Sequence, residues 1–283
     1  MILTRENFQK LKDKKWRINH LYKIINKKGK LVVFKEKEVQ KRFNATAHSR
    51  NIILKSRQHG FTTNACVDGF DDVLFNNNFK FTLIADSLEH AQEIFDKIEI
   101  AWKYFPLRNL YVANTENARE ISFNNNSVVK VTTDARSTTV NRLHISELGK
   151  IAAKYPQKAN DIITGSIPTV PLDGRVDIES TAEGEVGLFY ELCQRYMGKT
   201  PTSKLDFRFH FFGWLEDDDC VLEGEIPIPI ELVAYQQKHH IPENRMKWYS
   251  EQKKMLMEKI RQEYPTFAEE AFLYSGEKLF DQD

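Results

Sequence analysis

Short apolar runs alternate along this chain with stretches whose apolar residues recur at helical spacing. Asn51-Ile52-Ile53-Leu54 reads as a buried strand, and Asn64-Ala65-Cys66-Val67-Asp68-Gly69-Phe70 as a helix that follows it across a tight loop. Phe81-Thr82-Leu83-Ile84-Ala85 is a second strand ending in Asp86-Ser87, where Ser87 is placed to cap a helix. Ala91, Ile94, Phe95 and Ile98 form the core-facing stripe of that helix. Ile121, Phe123, Val129 and Val131 are the apolar positions of a hairpin over 119–133, turned by Asn124-Asn125-Asn126. Two more strands end in Ser146-Glu147 and in Ser180-Thr181-Ala182. Upstream, Val39, Gln40 and Phe43 predict a helix within 34–43. The alternation predicts an α/β fold with a mainly parallel sheet between layers of helices.

The pattern changes near Trp214. Glu216-Asp217-Asp218-Asp219 is an acidic run with no evident upstream partner, and it reads as a solvated loop. Pro227 and Pro229 mark a linker, and helical patterns follow at 231–240 and 242–263. The expected organisation is a lead-in over 1–33, an α/β core over 34–213 and a small, mainly helical subdomain over 214–283.

Composition narrows the class. The 283 residues are 41% hydrophobic, enough for one large domain with an appendage. No apolar run has bilayer length and no secretory leader is present, so no membrane partner is expected. Cys66, Cys193 and Cys220 are far apart and read as reduced thiols rather than as metal ligands. Lysine and arginine total 41 against 40 acidic residues, so net charge does not signal nucleic acid. Lys12, Lys14, Lys15, Arg17, Lys27, Lys28 and Lys30 nevertheless concentrate positive charge near the start, and a local basic stripe is all that a DNA backbone requires.

Candidate chemistry centres on Lys55-Ser56-Arg57-Gln58-His59-Gly60-Phe61-Thr62-Thr63. Strand, tight loop, hydroxyl and helix is the context of a phosphate-binding loop, whose amides and helix dipole favour an anion. Against the pattern G-x-x-x-x-G-K-[ST], Gly60 and Thr62 match the second glycine and the magnesium hydroxyl. Phe61 stands where the lysine is expected and Lys55 where the first glycine is expected. A lysine at the start of the loop can still bend back to phosphates. A carboxylate ending a buried strand beside such a loop can orient or deprotonate a water, and Glu147 fits.

The displaced lysine and the aromatic residue before the hydroxyl resemble the large subunit of tailed-phage terminases of the lambda-like kind. Val176-Asp177-Ile178-Glu179-Ser180-Thr181-Ala182-Glu183-Gly184 resembles the terminase coupling motif, and Glu263 to Phe272 resembles the segment that closes the ATPase region. The resemblance runs from about Phe34 to the C-terminus and implies a RecA-like P-loop NTPase that uses ATP and Mg2+. Terminases end the catalytic strand in Asp-Glu; here Ser146 replaces the aspartate, leaving magnesium to Thr62, waters and the triphosphate, with Ser146 acting through water. The resemblance further implies an adenine contact from Gln40, for which a solvent-facing helical glutamine is the alternative. It implies coupling through Ser180, Thr181 and Ala182, and an arginine finger from Arg57 in cis or Arg136 in trans, between which the sequence does not choose. Implied partners are double-stranded DNA, a portal protein, a small terminase subunit and further copies in a ring on the capsid, with a monomer as the alternative state of the isolated domain, in the cytoplasm of an infected bacterium. The chain stops at Asp283 without room for the RNase H-like nuclease of a full-length subunit, so no DNA cleavage is expected. A helicase-like or repair ATPase and a non-catalytic nucleotide-binding assembly module are the alternatives.

Overall fold

A computed structural model describes residues 5–134 and 139–273. Near the start, β1 (Lys23–Ile25) and β2 (Leu31–Val33) form a small antiparallel ribbon. The remaining strands are β3 (Arg50–Lys55), β4 (Lys80–Ile84), β5 (Ala113–Asn117), β6 (Glu120–Phe123), β7 (Val128–Thr132), β8 (Arg142–Ser146), β9 (Arg175–Ser180) and β10 (Arg208–Phe212). They make one eight-stranded sheet in the order β10-β3-β9-β8-β4-β7-β6-β5. From β10 to β7 every pairing is parallel, and β6 and β5 continue antiparallel. The expected hairpin is β6–β7; β5, a polar edge strand, extends it into a meander.

Register decides what each face carries. Ser146 pairs with Glu179 and His144 with Asp177 across β8 and β9, while Ile53 and Asn51 pair with the same two acids across β3. Paired residues share a face and alternate residues change it. One face of these strands therefore presents Ile52, Leu54, Leu143, Ile145, Val176 and Ile178, buried against the helices Leu148–Lys154, Pro156–Gly165 and Leu188–Tyr196. The other face is polar although buried. There Arg142 Nη1 lies 2.6 Å from Asp68 and 3.0 Å from Asp72 of the helix Phe61–Phe75, and its Nη2 lies 3.2 Å from Asp177. Arg175 closes on Asp177 at 2.9 Å, and Lys14 on Asp72 at 2.5 Å. Burial works against the charge on Asp68 and Asp177, but these cations hold both carboxyls below the usual range.

The basic lead-in is spent on such pairs more than expected. Arg17 makes a buried ion pair with Asp71 at 2.6 Å, and Tyr22 donates to the same carboxylate. Ile18, Leu21, Tyr22 and Phe34 join the core formed with Phe70 and Phe95, so packing is continuous across the expected boundary at residue 33. The acidic run is also not a simple solvated loop. Asp217 is buried and paired with Lys37, and Asp219 meets Lys27 at 2.7 Å. Trp214, Met246, Tyr249, Ile260 and Tyr264 make a separate core for the C-terminal part, between the helices Ile230–Lys238 and Glu243–Leu256 and the segment beyond them. Among the described residues no helix is long and apolar enough to cross a membrane.

Candidate active site

Parallel strands bring their C-terminal ends to one edge, and β3, β8 and β9 lie side by side in the sheet. The loop after β3 turns through two left-handed residues, Gln58 at φ +65° and Gly60 at φ +73°. A side chain at Gly60 would also meet Gln40 Nε2 at 3.0 Å, so both conformation and space call for glycine. The helix Phe61–Phe75 starts at once and aims its N-terminus at the cavity above the loop.

Phe61 explains its own departure from the usual pattern. Its ring is buried among Val39, Phe43, Ile53 and Phe212, 4.7 Å from the Phe212 ring. A lysine there would point into an aromatic cluster. The cation comes instead from the end of β3. Lys55 is 6% exposed, and its Nζ lies 3.4 Å from Glu147 Oε1 and 3.7 Å from Glu179 Oε2. Burial acts against its charge, but the two glutamates more than offset this and raise its pKa. Lys55 therefore stays charged at neutral pH.

Glu147 sits between β8 and the helix Leu148–Lys154 with φ +59° and ψ +44°. For a residue with a Cβ this left-handed conformation costs roughly 1–2 kcal/mol. The strain turns the carboxylate toward Lys55, and its Oε2 lies 3.3 Å from Lys150 Nζ without a hydrogen bond. Ser180 reaches the same turn from β9, where its Oγ accepts from the Gly149 amide at 3.0 Å. Thr181 lines the cavity, whereas Ala182 is buried in the apolar core.

Other expected residues serve the loop itself. Gln40 is buried, its amide donates to the His59 and Gly60 carbonyls, and its Oε1 accepts from the Lys37 amide. It is neither solvent-facing nor free to meet an adenine edge in this arrangement. His59 Nε2 lies 3.0 Å from the Gly213 carbonyl and 2.8 Å from Ser56 Oγ; because the carbonyl only accepts, Nε2 carries the proton. Burial lowers the His59 pKa and keeps the ring neutral. Arg57 is half-exposed, with Nε 3.5 Å from Glu263 Oε2. Arg136 lies outside the described residues.

The cavity holds about 240 Å³ between Lys55, Gly60, Thr62, Thr63, Glu147 and Thr181. His90, Lys97 and Lys150 also line it and were not singled out from sequence. A positive helix end, a buried lysine and free amides suit polyphosphate, and Glu147 suits a water at its far end. For magnesium the set offers the Thr62 hydroxyl and nearby carboxylates, hard oxygen donors of the kind the ion prefers. Glu147 and Glu179 each keep one oxygen buried without a hydrogen bond, so the residues fit the ion.

No family model and no curated protein matches the chain. Solved structures do. The ATPase domain of the large terminase of Thermus phage P74-26 superposes with a TM-score of 0.56 at 15% identity, covering 85% of this chain and 95% of that one. The HK97 bacteriophage large terminase superposes with a TM-score of 0.61 at 14% identity over 93% of this chain, which spans 55% of its length. At these identities the likeness is one of fold, and in fold the chain matches the ATPase domains of phage large terminases.

Proposed function

We propose that this chain is the ATP-hydrolysing motor domain of a terminase large subunit and moves double-stranded DNA into a procapsid. The observation that supports it most is the meeting of Lys55, Thr62 and Glu147, from three places in the sequence, around one cavity at the N-terminus of a helix. In this reading the loop amides from Gln58 to Thr63 and Lys55 hold the β- and γ-phosphates, and Thr62 faces the magnesium side. Magnesium, when bound with the nucleotide, screens phosphate charge and withdraws electron density from the γ-phosphorus. Glu147 orients the attacking water and takes its proton as the water oxygen bonds to phosphorus and ADP leaves with the electron pair.

Gln40 is assigned to fixing the loop. Ser180 and Thr181 are assigned to coupling, because Ser180 bonds the turn that carries Glu147 and so ties β9 to it. Arg57 is the arginine in cis, and Arg136 is the candidate in trans in a ring of copies. The portal protein and small terminase subunit are the partners this function requires.

Glu147→Gln separates the steps. Turnover should fall by about 100-fold or more, while ATP still binds with near wild-type affinity in equilibrium dialysis. Unchanged turnover in that variant would remove Glu147 from its role, and strand separation without DNA translocation by the wild-type protein would favour a helicase.

A further inference from the structure

The site lacks a carboxylate at the end of β8 where the metal side of such a site needs one, because Ser146 occupies that position. One strand away, Glu179 is fully buried at the register partner of Ser146 and on the same face. Its Oε1 accepts from Thr62 Oγ1 at 2.5 Å, from Ser146 Oγ at 3.1 Å and from His144 Nε2 at 3.3 Å. Its Oε2 makes no hydrogen bond and has Lys55 Nζ 3.7 Å away. A carboxylate buried this deeply is costly unless it is paired. Apolar neighbours would fill the position at lower cost if packing were its only task.

We infer that Glu179 of β9 takes over the metal-side carboxylate role vacated at Ser146, holding the Thr62 hydroxyl and presenting its second oxygen to nucleotide-bound magnesium. Thr62 donates its proton to Glu179, which leaves the Thr62 oxygen lone pairs free for a cation. Strands in a sheet lie about 4.8 Å apart, and glutamate is one methylene longer than aspartate, so the longer side chain answers part of the lateral shift. The hydroxyl of Ser146 then serves as a donor that steadies Glu179 rather than as a ligand. This inference rests on the proposed nucleotide site.

The test is ADP binding by calorimetry, with excess magnesium and with EDTA, to the full chain and its variants. Wild-type protein should bind ADP more tightly with magnesium. Glu179→Gln should lose about 10- to 100-fold of that magnesium-dependent gain while its affinity in EDTA is kept or raised, because a negative charge has gone. Glu179→Gln combined with Ser146→Asp should regain the magnesium effect, which a merely structural role would not produce. If Glu179→Gln shows no cooperative melting, Glu179→Asp keeps the charge and withdraws the carboxylate, and it should lose part of the gain. A folded Glu179→Gln or Glu179→Asp with the full wild-type magnesium gain overturns the inference and leaves the ATP site standing. Wild-type protein that binds no ADP in either condition overturns both.

Discussion

Under the proposed function the task of the loop lysine has passed from position 61 to Lys55, an exchange of positions relative to the usual phosphate loop. The exchange is enforced by packing, since Phe61 closes the aromatic cluster with Phe43 and Phe212. Phe61→Lys should therefore not recreate an ordinary loop. It removes a buried ring and drives a charge toward the cluster, so chemical denaturation should show a loss of about 3–5 kcal/mol, and adding it to Lys55→Ala should not restore ATP turnover. Restored turnover in that double variant would mean that the cluster does not fix the loop. The placement of the candidate site was legible in part. Lys55, Gly60, Thr62 and Glu147 could be read from a strand–loop–helix pattern because their chemistry depends on local order. Glu179 and Gln40 could not be read in the same way. Glu179 gains its meaning from the register of β9 against β8, and Gln40 from loop carbonyls 19 and 20 residues away.

At the scale of elements, the helix Phe61–Phe75 is fastened to the sheet by charge as well as by the apolar packing of Val67, Phe70 and Val73. Arg142 sits among Asp68, Asp72 and Asp177, with Arg175 and Lys14 at the rim. Removing one member of a buried ionic cluster leaves the others uncompensated, so Arg142→Leu should destabilise the fold by about 3–5 kcal/mol. The sign of the pH dependence follows from the carboxyls. Asp68 and Asp177 titrate below their unfolded values, near 3.9 (about the ordinary aspartate value), so the unfolded chain binds more protons in mild acid. Their contribution is present in full above that range and is lost as pH falls through the folded values. Urea unfolding from pH 6 to pH 3 should show this loss in the wild type and a shallower one in Arg142→Leu; equal slopes would assign the acid sensitivity elsewhere. The strands β3, β4, β6, β7, β8 and β9 were legible from short apolar runs, whereas β10 was not read as a strand. The polar face was written in the same alternation, Arg175-Asp177-Glu179 beside Arg142-His144-Ser146, yet only pairing shows that these two series meet. The edge strand β5 was not legible because Ala113-Asn114-Thr115-Glu116-Asn117 carries no apolar period.

At the scale of the molecule, the candidate phosphate loop is seated on the end of β10 and on the part of the chain that follows it. The Ser56 amide donates to Phe212, the Arg57 amide donates to the Glu263 carbonyl, and His59 donates to Gly213. Whatever moves the loop on binding nucleotide must therefore strain the C-terminal core around Trp214 and Tyr264. Hydrogen–deuterium exchange on Glu147→Gln with ATP and magnesium should show altered protection at the 260–264 amides, and no change there would uncouple the two parts. The proposed function requires a lysine at the end of β3 to serve an ATP site that lacks the lysine of the usual pattern. Steady-state ATP hydrolysis with magnesium tests it most directly, on the wild type, on Lys55→Ala and on Lys254→Ala, an exposed lysine paired with Glu251. Hydrolysis that falls by about 100-fold or more in Lys55→Ala and is unchanged in Lys254→Ala is the predicted result. Turnover in Lys55→Ala equal to that of the wild type would contradict it.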